Sequence, residues 1–123
     1  MREQESASAR AEEFLPLPAR DFYILFFLAQ GERHGYGLVR EIAAHSGDTV
    51  RLDPANLYRA IQNLADAGLV VDGPRRVDGP TGRARRYYVI TDLGRKVVVA
   101  EATRMAALAA AAADCDLIPS SEA

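Results

Sequence analysis

The sequence has few of the residues that form disulfides or bind zinc, and it has no apolar run long enough to span a membrane. Its one cysteine, Cys115, cannot form an internal disulfide, and we expect a reducing, cytoplasmic environment. Its two histidines, His34 and His45, do not have a metal-ligand spacing, and tryptophan is absent. The longest strongly apolar run, Phe22–Ala29, has eight residues, whereas a bilayer span needs about 20. We therefore interpret it as core, and expect neither a membrane span nor a secretory signal.

Catalytic motifs are equally scarce. Asp114 and Asp116 flank Cys115, and their negative charges disfavour a reactive thiolate. The stretch Gly79–Gly82 lacks the lysine and the strand–loop–helix order of a phosphate-binding loop. Neither a serine elbow nor a zinc-ligand pattern is present. We therefore expect no enzymatic activity, no catalytic residues, no cofactor and no metal.

What is present is a single domain with an uneven charge. The chain has 123 residues, 49% of them hydrophobic and 26% charged, with a net charge of −2. Residues 1–50 carry −3, residues 51–96 carry +4 and residues 97–123 carry −3. A local positive excess can attract DNA, but an ordinary solvated surface also contains arginine. Charge alone leaves these two interpretations open.

Helix signals predict four helices. Their expected ranges are Pro18–Gln30, Tyr36–His45, Pro54–Ala67 and Asp92–Ala113. Asp53 and Thr91 are the expected N-caps of the last two. The first helix is apolar around most of its circumference, and the last has two apolar stripes, which favours a second packing partner for each. Arg104 interrupts one stripe, so we expect it to snorkel or to pair with a carboxylate.

The strand signals complete a known pattern. Leu69–Arg76 and Arg85–Ile90 are candidate strands around a glycine-tipped loop, and Thr49–Leu52 could add a very short one. A helix followed by such a hairpin predicts a mainly α (α+β) fold, the winged helix-turn-helix with a C-terminal helix. We divide the chain into a flexible acidic tail (1–13), a winged-helix domain (14–91), the C-terminal helix (92–113) and a loose tail (114–123).

The polar face of the third helix is the best candidate for function. It lies opposite the apolar stripe of Leu57, Ile61 and Leu64. Arginine can bond guanine in the major groove, and asparagine or glutamine can bond adenine. The candidates for base readout are Asn56, Arg59, Gln62 and Asn63. A solvated helix face, which every surface helix has, is the competing interpretation.

Arginines around the hairpin loop favour DNA binding, because phosphate contacts are typical of such loops. These candidates are Arg75, Arg76, Arg83, Arg85 and Arg86. Tyr58, early on the third helix, could reach a phosphate or seal the edge of the core. Tyr36, between two glycines, is expected to pack rather than to bind a ligand.

Five motifs in order resemble the PadR family of transcriptional regulators. They are His34–Leu38, Leu52–Ile61, Leu64–Val70, Arg86–Thr91 and Gly94–Arg95. The resemblance implies a homodimer, with the first helix and a C-terminal dimerisation helix at its interface. It also implies recognition helices in successive major grooves and wings on phosphates or the minor groove. Carried onto this chain, the reading helix is Pro54–Ala67 and the wing is Arg75–Arg86.

The resemblance implies, finally, a repressor of a two-fold or pseudo-two-fold operator, with double-stranded DNA and a second copy as partners. Some family members release DNA when a small aromatic or cationic effector binds at the dimer interface, and some stack it on a tryptophan that this chain lacks. The candidate effector or dimer residues here are Phe22, Phe26, Met105 and Leu108. Two alternatives are a winged-helix protein-interaction module without a DNA role, and a ligand sensor that acts on another protein.

Overall fold

Four helices of ten or more residues and a three-stranded sheet form the part of the chain that the structure, a computed structural model, describes: residues 10–78 and 83–120. In chain order the elements are α1 (Ala19–Leu28), β1 (Arg33–His34), α2 (Gly35–His45), α3 (Pro54–Asp66), β2 (Val70–Asp78), β3 (Arg83–Ile90) and α4 (Asp92–Asp114). The predicted wing tip, Gly79–Gly82, lies outside the described residues, as do the side chains of Val77, Asp78, Arg83 and Ala84.

Local signals place the helices where the sequence predicts them, within two residues at each end. Asp53 Oδ1 accepts a hydrogen bond from the Asn56 N–H at 2.8 Å, and Thr91 Oγ1 accepts one from the Gly94 N–H at 3.0 Å. Both predicted N-caps are confirmed. After α3 the chain turns at Gly68, whose φ of 84° is in the left-handed region that favours glycine.

The sheet has the strand order β1-β3-β2, and both pairings are antiparallel. The register of β2 against β3 shifts between Asp72 and Arg75, where Pro74 cannot donate to the ladder. A Cβ on Gly73 would lie 2.9 Å from Val89 Cγ2, so the strands approach closely at this bulge.

The expected short strand at Thr49–Leu52 is wrong: the third strand is β1. Residues near Thr49 bond locally instead of pairing in the sheet. Thr49 Oγ1 donates to the Ser46 carbonyl at 2.7 Å, and the Val50 N–H donates to Ser46 Oγ at 3.0 Å. A strand of two residues, such as β1, shows no alternation from which a sequence could predict it.

The core lies between the helices and the inner face of the sheet. Its most deeply buried apolar side chains are Ile24, Leu25, Leu28, Leu38, Ile42, Leu57, Leu69, Val70 and Val97. Because α1 contacts α2, α3 and α4, it is the central helix of the domain. This explains why α1 is apolar around most of its circumference.

From residue 10 onward, the N-terminal segment packs on the domain, in contrast to the flexible tail that the sequence predicts for residues 1–13. Residues 10–12 form a helical turn, and Ala11 is buried in the core cluster. Residues 1–9 of that predicted tail, and residues 121–123 of the C-terminal one, lie outside the described part. Within residues 10–78 and 83–120, no helix is long and apolar enough to cross a bilayer.

Candidate nucleic-acid interface

Helix α3 packs on the core through one stripe and leaves its polar face exposed. Leu57, Ile61 and Leu64 are buried, as the periodicity predicts. The four predicted base-reading side chains all lie on exposed positions of the helix: Asn56, Arg59, Gln62 and Asn63. The structure therefore places them together on one accessible face.

These four side chains differ in their hydrogen bonding. Asn56 Nδ2 donates to Asp53 Oδ2 at 3.0 Å, and Gln62 Nε2 donates to Asp66 Oδ1 at 2.9 Å. Among the described residues, Arg59 and Asn63 have no side-chain hydrogen bond. A guanidinium and an amide are thus available to a ligand without breaking an intramolecular bond.

The hairpin separates the predicted wing arginines into two pairs. Arg75 lies opposite Arg86, and Arg76 lies opposite Arg85, so each pair shares one face of the hairpin. Arg75 and Arg86 are exposed, and the Arg86 side chain also hydrogen-bonds Tyr88. The fifth predicted arginine, Arg83, begins β3, and its side chain is outside the described residues.

The second pair is held by neighbours at the base of the wing. Arg76 forms an ion pair with Glu32, and its guanidinium lies 5.3 Å from the centroid of the Tyr87 ring. Arg85 is half-buried, with Nη1 at 3.4 Å from both ring nitrogens of His34. These contacts orient the two guanidinium groups at the base of the wing.

Two tyrosines lie near the start of α2. The Tyr58 hydroxyl is 3.6 Å from the position that a Cβ on Gly35 would take, and 53% of its surface is exposed. Tyr58 therefore covers the start of α2 without entering the core. Tyr36 is 59% exposed, so the expectation that it packs is wrong. Arg40, one helical turn after Tyr36, is also exposed, and sequence reasoning missed it.

The predicted effector or dimer residues lie on two helices, Phe22 and Phe26 on α1 and Met105 and Leu108 on α4. Phe22 stacks on Phe26 with ring centroids 5.9 Å apart, and Phe26 also contacts His45 of α2 at 5.6 Å. Met105 is half-buried and Leu108 is exposed. An open groove of about 750 Å³ does run along α4, but other residues line it, among them Ala11, Leu15, Lys96, Val99, Thr103 and Arg104.

The element order and the exposed third helix define a winged helix-turn-helix protein. Residues 24–100 match the family described as the transcriptional regulator PadR-like family. The chain is also 36% identical to transcriptional regulator Rv3488 of Mycobacterium tuberculosis over an aligned stretch of 87 residues. This stretch covers 71% of this chain and 76% of that protein. The chain belongs to the PadR-like family of transcriptional regulators, and regulators of this family are not enzymes.

Solved structures show the same fold at lower identity. Bacillus subtilis PadR in complex with operator DNA superimposes with a TM-score of 0.57 at 22% identity, covering 68% of this chain and 46% of that one. A transcriptional regulator from Clostridium thermocellum superimposes with a TM-score of 0.59 at 23% identity, covering 75% of this chain and 84% of that one. The predicted fold class and the resemblance to the family are confirmed.

Proposed function

We propose that the protein is a homodimeric transcriptional repressor that binds a two-fold or pseudo-two-fold DNA operator. The observation that carries this proposal is the exposed face of α3, where Arg59 and Asn63 have no intramolecular hydrogen bond among the described residues. Donors and acceptors in that state are suited to base edges in the major groove. The operator complex of Bacillus subtilis PadR, which shares the fold, supports DNA as the ligand.

In this proposal the two parts of the interface have different tasks. Asn56, Arg59, Gln62 and Asn63 read bases, whereas Tyr58 and the wing arginines hold phosphates: Arg75, Arg76, Arg83, Arg85 and Arg86. Phosphate contacts supply affinity that does not depend on sequence, and base contacts supply specificity. Two copies would place α3 in major grooves about 34 Å apart, one helical turn of DNA.

The C-terminal half of α4 supports dimerisation. The buried residues of this helix are Gly94, Val97, Val98 and Glu101, all in its first half. In the second half, Leu108 is 57% exposed and lies within a run of exposed alanines. Small side chains allow helices to approach closely, so a second α4 is a suitable cover. We assign a small-molecule effector of this dimer to the groove along α4 or to the surface of Phe22, Phe26, Met105 and Leu108.

Selection of DNA sites from a random library tests the proposal, followed by binding of the selected duplex across a range of salt concentrations. We expect enrichment of a symmetric site and an affinity that falls steeply as salt rises, because counterions are released from phosphates. Flat, negligible binding at low salt would favour the protein-interaction module instead. Enrichment of an asymmetric single half-site would contradict the two-fold operator.

A further inference from the structure

The open groove along α4 has one wall that lies outside the residues of the family match. The groove has a volume of about 750 Å³, and residues 11–15 contribute this wall, whereas the match covers residues 24–100. The wall is attached to the domain, because Ala11 is buried in the core cluster and the Leu17 N–H donates to Glu101 of α4. The N-terminal segment and the first half of α4 therefore form a groove of defined shape.

This groove has apolar surface and an excess of positive charge. Val99, one of its lining residues, is 58% exposed. The charged residues of the lining are Glu12, Arg95, Lys96 and Arg104. Arg104 is neutralised by Glu101 at 2.7 Å, whereas Arg95 and Lys96 form no ion pair within residues 10–78 and 83–120. An occupant with apolar and acidic side chains would therefore complement the groove.

The end of α4 and the residues after it, Asp114–Ile118, have that composition, and we call them the terminal segment. Its two apolar side chains are exposed, Leu117 by 78% and Ile118 by 45%, and two aspartates precede them. The Leu117 N–H donates to the Ala112 carbonyl at 2.9 Å, and Asp116 adopts a φ of 61° in the left-handed region. This C-cap holds exposed apolar side chains in a defined position at the end of the helix.

The terminal segment lies far from the groove of its own chain. Helix α4 is continuous from Asp92 to Asp114, and the groove lies beside its first half. The helix rises about 21 Å between Ala100 and Asp114, at 1.5 Å per residue. A second copy is therefore needed to bring a terminal segment to this groove.

A second α4 in antiparallel orientation brings the segment and the groove to the same level. Around a two-fold axis, each residue lies level with the residue equally far on the other side of the axis. An axis between Ala106 and Leu108, in the exposed part of α4, places Asp116 of the second copy level with residues 96–100. This range contains Lys96 and Val99 of the groove. The contact is thus continuous with the dimer surface proposed for the second half of α4.

We propose that the terminal segment of each copy occupies the groove of the other, so that two identical contacts close the dimer. The inference rests on the proposed function, because it needs the homodimer. Leu117 and Ile118 of one copy would cover the apolar surface at Val99 of the other, and Asp116 would pair with Lys96. A small molecule in this groove would have to displace the segment, and its binding would weaken the dimer.

Sedimentation equilibrium of the full-length protein tests the contact by exchanging charges across it. Leu117→Lys removes apolar cover and places a cation near Lys96 of the other copy, and we expect the dimer Kd to rise about tenfold or more. Lys96→Glu places a carboxylate near Asp116, and we expect a rise of about three- to tenfold. In the double variant the new charges attract each other in both contacts. Its Kd is expected to lie at least about threefold below the value that independent effects predict.

Val71→Lys is the matched control, because it places the same charge on an exposed apolar residue of β2. It is expected to leave the dimer Kd unchanged and to give no recovery in combination with Lys96→Glu. Circular dichroism follows the folding of each variant. Should Leu117→Lys unfold, Leu117→Ala is expected to raise the dimer Kd by about three- to tenfold through lost apolar contact.

The outcomes separate this contact from the proposed function. If the wild type is a dimer that Leu108→Glu weakens, but Leu117→Lys and Lys96→Glu leave its Kd unchanged, the contact is overturned while the homodimer stands. Independent effects in the double variant would also overturn it, because the two sites would then not face each other. A wild-type protein that stays monomeric at micromolar concentration would instead reject the homodimer of the proposed function.

Discussion

At the scale of the residue, Arg59 differs from Asn56 and Gln62 on α3, because its side chain could contact DNA without losing an intramolecular hydrogen bond. Its guanidinium has no side-chain hydrogen bond among the described residues. We expect Arg59→Ala to cost about 1–3 kcal/mol on the selected operator and to relax specificity, because the variant cannot bond the base. Competition between operator and scrambled duplexes measures both effects.

Arg75 provides the comparison, because its exposed side chain lies on the wing rather than on α3. Arg75→Ala is expected to weaken both duplexes by the same factor, as removal of a phosphate-binding side chain does. Equal specificity in the Arg59→Ala variant and the wild type would show that α3 does not read bases through this residue.

Gln62 is available only after a hydrogen bond is broken, because its amide donates to Asp66 at 2.9 Å. Asp66→Ala frees the amide and removes a negative charge from the exposed face. We expect the operator affinity to rise by about two- to tenfold, the equivalent of one hydrogen bond of about 0.5–1.5 kcal/mol. Titration of the same duplex at fixed salt measures it.

The double variant Asp66→Ala/Gln62→Ala separates the two causes. A gain in operator affinity that persists in the double variant would come only from removing the negative charge of Asp66. Unchanged or weaker binding by Asp66→Ala would contradict a role for Gln62 in the complex.

Gly94 is required because neighbouring atoms leave no room for a Cβ at this position, and not because of its backbone conformation. A Cβ at this position would overlap the carbonyl oxygen of Leu69 and lie 2.8 Å from Ile90 Cγ1. We expect Gly94→Ala to lower the free energy of unfolding by about 1–3 kcal/mol, as overpacking does. Denaturant unfolding measures it, with the exposed Ala102→Ser in the first half of the same helix as a control expected within about 0.5 kcal/mol of wild type.

At the scale of the element, α4 is attached to the N-terminal segment by one buried carboxylate. Glu101 is 2% exposed. It accepts two hydrogen bonds from Arg104, each at 2.7 Å, and one from the backbone N–H of Leu17. The hydrogen bond from Arg104 lowers the pKa of the Glu101 carboxyl from its usual 4.5, although burial opposes the change. The charged form is thus favoured by folding.

This lowered pKa predicts a pH dependence of stability. A group whose folded-state pKa is depressed stabilises the fold above its unfolded-state pKa and loses that contribution as pH falls through the folded-state value. The contribution of Glu101 is therefore complete above about pH 4.5 and decreases below it. Glu101→Gln is expected to be less stable than wild type at neutral pH, and the difference is expected to shrink in acid.

Chemical unfolding at a series of pH values measures this difference. The exposed Glu13→Gln is the matched control, and we expect its difference from wild type to stay small throughout. A Glu101→Gln difference that does not change between neutral and acidic pH would show that the carboxylate charge is not what stabilises this contact.

At the scale of the whole molecule, the second half of α4 has apolar surface that the described chain leaves uncovered. We expect the wild type to have twice the chain mass of 13.4 kDa in light scattering. Leu108→Glu is expected to shift the mass to that of one chain, because a charge in an apolar interface is costly. Its operator affinity is expected to fall as well, since only one half-site is then held at a time.

Val71→Glu is the matched control, because it places the same charge on an exposed apolar residue of β2 rather than on the second half of α4. It is expected to keep the dimer mass. A dimer that survives Leu108→Glu unchanged would exclude this part of α4 from the interface.

Much of this architecture follows from short-range signals. Capping by Asp53 and Thr91 and the turn at Gly68 act within a few residues, and the spacing of Leu57, Ile61 and Leu64 decides which face of α3 is polar. The sequence by itself therefore determined the four helices, the hairpin and the accessible side chains of α3.

Only the tertiary structure decided the contacts between segments distant in sequence. Strand β1 has too few residues to show a period, and it exists because β3 pairs with it. The pairing of Arg104 with Glu101 is local, because the two residues share α4, whereas the hydrogen bond from the Leu17 backbone to the same carboxylate depends on how the N-terminal segment packs against α4. Tyr36 and Arg85 lie on different elements, and only the packing of α2 beside the wing brings them together. The physical reason is that caps and helix periods depend on neighbours along the chain, whereas partners across the fold depend on how the elements pack.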